Sequence, residues 1–131
     1  MIDLGPVLAR TAGLRGMTAH RIRVREDGVL TFSLSRPPDD HRWIVWIYSP
    51  AWRVESADRV LASARALNGR RLRGTDIEPP SLDTTFRFST YALRVFPVTA
   101  REDSHAWPQW SLRSPDGEVW DIGPGSEWSV R

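Results

Sequence analysis

Over most of the chain apolar and polar residues alternate with period two, the pattern of half-buried strands. Ile22 and Val24 alternate with Arg21, Arg23 and Arg25, Asp27-Gly28 supplies a hairpin turn, and Leu30, Phe32 and Leu34 alternate on the return. Arg36-Pro37-Pro38-Asp39-Asp40 breaks the pattern, after which residues 43–49 predict a third strand, 51–56 a fourth and 59–64 a fifth. The fifth has a rival. Asp58 as N-cap, Val60, Leu61, Ala64 and Leu67 at helical spacing, and Gly69 past the end would also make a helix. Elsewhere a short helix fits near Pro6-Val7-Leu8-Ala9-Arg10, with Pro6 tolerated in a first turn. Further on, Ser89-Thr90 makes a tight connection into a strand over 91–97, and a long loop over 99–106 precedes the strand of Trp110.

The pattern occurs twice. Pro50-x-Trp52-x-Val54-x-Ser56-x-Asp58 returns as Pro108-x-Trp110-x-Leu112-x-Ser114-x-Asp116. Leu14-x-Gly16 is echoed by Leu67-x-Gly69, and Trp43–Tyr48 by Tyr91–Phe96, with Arg94 at the position of Trp46. Counted from the glycines, Ala19, Ile22 and Val24 correspond to Leu72, Thr75 and Ile77, and Phe32 and Leu34 fall on Phe86 and Phe88. A rival register sets Leu14-Arg15-Gly16 against Leu72-Arg73-Gly74. The partner of segment 58–69 is the hairpin through Ser114-Pro115-Asp116-Gly117, which favours a strand to about residue 64 and at most one helical turn after it. The expectation is one domain over 1–131, with half-repeats at about 14–66 and 67–131. It is all-β, with about ten short antiparallel strands and one or two helical turns at most, in a pseudo-two-fold roll, barrel or sandwich.

Composition narrows the setting. A chain of 131 residues can bury roughly two thirds of its unfolded surface without staples. It holds no cysteine, which excludes disulfides, thiolate metal sites and a cysteine nucleophile. The basic residues are all arginine, so the pI of 9.9 reflects a high-GC codon profile more than a nucleic-acid surface, the net charge being only +2. The first residues lack a basic targeting region and no apolar run approaches ~18 residues, so a cytoplasmic chain without a membrane span is expected.

The order L-x-G, hairpin, strand, P-x-W-x-(V/L), L-x-G, hairpin, Leu93-Arg94-Val95-Phe96-Pro97, Trp110–Gly117, Gly123-Pro124-Gly125 and Trp128 resembles a family of small actinobacterial all-β proteins of unknown function. The likeness covers roughly residues 14–128. It implies the same fold class and a bacterial cytosolic setting, and it brings no catalytic residues with it.

Candidate sites are few. Seven tryptophans could wall a ligand cage, but Trp52 and Trp110 read as paired core anchors. Trp43–Tyr48 is apolar on both faces, so it is either a covered central strand or an interface, with Trp43, Trp46, Tyr48 and the equivalent Arg94 as contact candidates. Arg21, Arg23 and Arg25 project from one strand at ~7 Å intervals, with Arg70, Arg71 and Arg73 near the equivalent strand. Both sets suit anions or an acidic partner, or else form a solvated face. Asp39, Asp40 and His41, and Asp103 and His105, place carboxylates beside histidines at a spacing that matches no established metal or acid–base site. His20 reads as a half-buried structural residue. No nucleophile elbow, zinc-protease, phosphate-loop or dinucleotide motif occurs, and Gly123-Pro124-Gly125 is a turn. The reading is a non-catalytic cytosolic protein without a cofactor, binding another protein or its own copy through strand 43–48, possible subclasses being immunity or antitoxin-like proteins. Nucleic acid is not the expected partner. The alternative is a small-ligand carrier or enzyme using a cleft between the repeats, with His41 and His105 as its polar groups.

Overall fold

The structure is a computed structural model describing residues 3–97 and 107–131. A short helix α1 (Gly5–Ala12) precedes β1 (Thr18–Val24), β2 (Leu30–Ser35), β3 (Trp43–Ile47), β4 (Trp52–Ser56) and β5 (Val60–Leu61). A 3-10 turn (Ala64–Leu67) leads into β6 (Leu72–Glu78), β7 (Asp83–Phe88), β8 (Tyr91–Val95), β9 (Trp110–Arg113), β10 (Val119–Ile122) and β11 (Trp128–Val130). The eleven strands form two antiparallel sheets, ordered β1-β2-β3-β9-β10-β11 and β5-β4-β8-β7-β6, stacked as an open sandwich and not closed into a barrel.

The strand orders reveal how the repeat is built. Each half makes a three-stranded meander in one sheet, then sends its fourth and fifth strands to pair in the other. β1-β2-β3 is completed by β9-β10, with β11 beyond them, and β6-β7-β8 by β4-β5. The registers match residue for residue. Trp110 pairs with Ile47 as Trp52 pairs with Val95, and Phe32 pairs with Val45 as Phe86 pairs with Leu93. Trp46 and Arg94 are therefore equivalent, as are Arg113 and Glu55.

At the junction of the halves the contacts are reciprocal. Gly16 N–H donates to Leu72 O and Gly69 N–H to Ala19 O, both at 2.8 Å; Ala19 N–H donates to Arg70 O and Leu72 N–H to Met17 O. The equivalent residues Thr18 and Arg71 bridge each other, and the rings of Phe32 and Phe86 meet edge-on at 5.8 Å. These pairs select the register that matches Leu14-x-Gly16 with Leu67-x-Gly69 and reject the rival. Gly16 and Gly69 sit at φ +90° and +80°, where a side chain would be strained, while Leu14 and Leu67 are fully buried beside them.

Period-two patterning builds the core, with Leu30, Phe32, Leu34, Val45, Ile47, Phe86, Leu93, Val95, Trp110 and Leu112 on the inner faces. Trp110 is wholly buried and its indole N–H reaches Thr84 Oγ1 at 2.8 Å. Trp52, expected as its equal, is only half-buried, packed against the core. Residues 58–69 combine both readings, a two-residue strand and then a 3-10 turn started by Ser63 Oγ accepting from Arg65 N–H. The strand over Trp128–Val130 is the one the alternation did not anticipate, being too short to show a period. No helix among the described residues is long and apolar enough to cross a membrane.

Candidate functional site

The two sheets present equivalent outer faces with different chemistry. On the six-stranded sheet one row runs Arg23, Thr31, Trp46, Ser111, Asp121, and the next runs His20, Ser33, Ile44, Arg113, Val119. The equivalent rows of the five-stranded sheet are Asp76, Thr85, Arg94, Arg53 and Gly74, Arg87, Ala92, Glu55, Val60. The second face neutralises itself. Glu55 accepts from both Arg53 and Arg94, and Arg87 pairs with Asp76 at 2.6 Å. Those guanidinium groups hold the Glu55 carboxyl below its usual range, the Arg94 hydrogen bond contributing most.

The first face carries the Trp46 ring where its counterpart carries the ion-paired Arg94. Trp46 and Tyr48 stack at 6.4 Å, Tyr48 meets Trp107 at 5.7 Å, and Arg25 lies 5.6 Å over the Trp46 ring. Trp107 is 71% exposed, far beyond what an indole of the core would be. Beside this strip Asp121 is nearly buried, receiving the Ser111 hydroxyl and the Arg131 guanidinium. A carboxylate so satisfied is structural: it anchors β10 and the C-terminal residue to β9.

At the other end of the same face lies a cavity of about 520 Å³ lined by Arg21, Ser33, Asp40, His41, Arg42, Ile44, Arg113, Ser114 and Pro115. A cavity of about 540 Å³ occupies the equivalent place on the five-stranded sheet, lined by Arg73, Arg87, Arg94, Glu55, Ser56 and neighbours. Three arginines reach each. In the second, Arg87 and Arg94 are ion-paired; in the first, Arg21, Arg42 and Arg113 form no ion pair among the described residues. His20 stands beside this groove, bonded to Ser35 Oγ at 2.9 Å, and burial followed by Arg21 and Arg42 lowers its pKa.

The structure disperses the residues singled out from the sequence. A β-bulge between His20 and Arg23 breaks the expected arginine row: Arg21 enters the groove, Arg25 covers Trp46 and pairs with Asp27, and Arg23 begins the Trp46 row. Arg70 lies 4.6 Å over the Tyr91 ring, Arg71 meets Thr18 at the junction, and Arg73 lines the opposite cavity. Trp43 is engaged internally, Arg10 being held between its ring and that of Trp120 at 5.5 and 5.3 Å. Asp39, Asp40 and His41 bring one ligand atom each within 4.8 Å, all three exposed, with His41 paired to Asp39. Asp103 and His105 lie outside the described residues. Sequence reasoning missed Arg42 and Arg113, because only the exchange of strands between halves brings the loop before β3 and the end of β9 to Arg21. It also passed over Trp107, although the indole at the edge of a long loop was a visible signal.

No protein-family model, curated protein or solved structure matches the chain. Its function is therefore argued from its own geometry.

Proposed function

We propose that this chain is a non-catalytic binding protein that engages a partner protein through the outer face of its six-stranded sheet. One observation carries the reading: of two equivalent faces, one is closed by its own ion pairs, and the other holds Ile44, Trp46 and Tyr48 half-buried and Trp107 exposed among arginines. Exposed aromatic anchors bordered by arginine are the composition of interface centres. The partner would present an apolar patch with an acidic rim, to meet Arg23 and Arg25 at the edge of the strip. Neutralising a target by steric contact, as immunity or antitoxin-like proteins do, needs no more than such a face.

The test gives each face the other's residue. A tagged protein is used for capture from lysate of the source organism after nuclease treatment, beside Trp46→Arg and Arg94→Ala variants. A stoichiometric protein retained by the wild type and Arg94→Ala but lost with Trp46→Arg supports the reading. Equal retention by all three, or none, sinks it. Sedimentation of the same variants separates a second copy from a foreign partner, since a self-contact would disappear with Trp46→Arg alone.

A further inference from the structure

We infer that the groove formed by Arg21, Arg42 and Arg113 is a binding site for a phosphoryl dianion. It does not depend on whether a partner covers the aromatic strip. The opposite groove serves as its internal reference. There Glu55 occupies the place of Arg113 and neutralises the site; here that carboxylate has become a third arginine. On the opposite side Arg87 extends over Gly74 and reaches Asp76. Here Ser33 stands at the place of Arg87 and His20 at that of Gly74, and the arginine comes instead from the next residue, Arg21, in the β1 bulge.

That exchange costs backbone strain. Arg21 is held at φ +56°, a conformation that L side chains with a Cβ rarely take. Strained residues persist where the surroundings impose them, and they gather at binding sites. Arg21 makes no ion pair among the described residues that would account for it.

The groove's chemistry narrows the ligand. Three guanidinium groups arrive from three elements: the β1 bulge, the loop before β3 and the end of β9. A planar carboxylate can meet one or two such forks, whereas a tetrahedral oxyanion offers oxygens to all three. Against one lining carboxylate, Asp40, the three arginines leave an excess of two positive charges, which matches a dianion. The groove is open enough for either free phosphate or a phosphate monoester.

The experiment titrates inorganic phosphate and phenyl phosphate into the intact protein at constant ionic strength, with acetate and chloride as references. Binding is followed calorimetrically and through the ring resonances of His20. Saturable one-to-one phosphate binding is expected, with an upward shift of the His20 titration as the charges of Arg21 and Arg42 are offset. Arg113→Glu, which installs the opposite groove's residue, and Arg21→Gly, which removes the bulge arginine, should each weaken it at least tenfold. Arg87→Ala should not. Either order of affinity for the free ion and the ester supports the site, and the order tells the two sources apart. A response no different from chloride, or one lost equally with Arg87→Ala, overturns it. Arg21 and Arg113 are exposed, and Arg21→Gly relaxes the backbone, so lost binding there cannot be charged to unfolding.

Discussion

At the scale of single residues, the informative positions are those where the two halves differ. Arg21 sits in the left-handed region in the bulge of β1, whereas the bulged stretch of β6 holds no residue at positive φ. Replacing it with Gly should stabilise the protein by about 1 kcal/mol in denaturant titration, against a Gly-to-Ala-type entropy cost that offsets part of the gain. A loss of stability instead would show that the Arg21 side chain packs more than it strains. His20 gives a pH dependence. Burial, then Arg21 and Arg42, holds its pKa below the unfolded value of 6.5, with Ser35 as its hydrogen-bond partner and Asp39 and Asp40 in the adjoining groove. The unfolded chain thus takes up a proton that the folded chain resists. Its contribution is fully present above pH 6.5 and is lost as pH falls through the lower folded value. Unfolding free energy measured at pH 7.5 and 5.5 should fall, and His20→Gln should flatten that slope. Glu55 titrates in a separate, more acidic window because its pKa too is lowered, by Arg94 first.

Whole elements are held by contacts of a kind that alternation does not encode. Helix α1 buries only Val7 and Thr11, too little to fix eight residues by apolar area alone. Arg10 supplies the rest: it lies between Trp43 and Trp120 and pairs with Glu118 at 2.9 Å, while Glu118 also accepts from the Trp120 indole. Arg10→Ala should cost roughly 1–2 kcal/mol, and Arg10→Lys should recover only part, because a point charge cannot stack between two rings. Amide exchange that stayed slow in α1 of the alanine variant would refute this anchoring. The strands themselves were legible where an inner face repeats every second residue, as in Leu30–Leu34 and Trp43–Tyr48. Bulges and three-residue strands were not, because one extra or one missing residue erases the period. So the arginine row of 21, 23 and 25 was visible as sequence, and its dispersal by the bulge after His20 was not.

The molecule as a whole is two meanders that finish each other's sheets. The echo P-x-W-x-(V/L)-x-S-x-D was readable, since Trp52 and Trp110, and Val54 and Leu112, fall on equivalent pairs. What no local pattern carried was the exchange, which seats β9 beside β3 and β4 beside β8 and so assembles the groove from residues as distant in the chain as Arg21 and Arg113. The same exchange governs stability. Neither half has a sheet of its own beyond three strands, and Phe32 touches its own counterpart Phe86 at the junction. A half that unfolds removes two or three strands from the other's sheet and exposes its core. Thermal unfolding should therefore be a single transition with calorimetric and van't Hoff enthalpies equal. Phe32→Ala and Phe86→Ala should each destabilise the whole molecule by about 3–5 kcal/mol, not one half. Because the two rings share one contact, the double variant should fall short of the sum of the single losses. Two resolved transitions, or strict additivity, would mean that the halves stand independently despite their interlocked sheets.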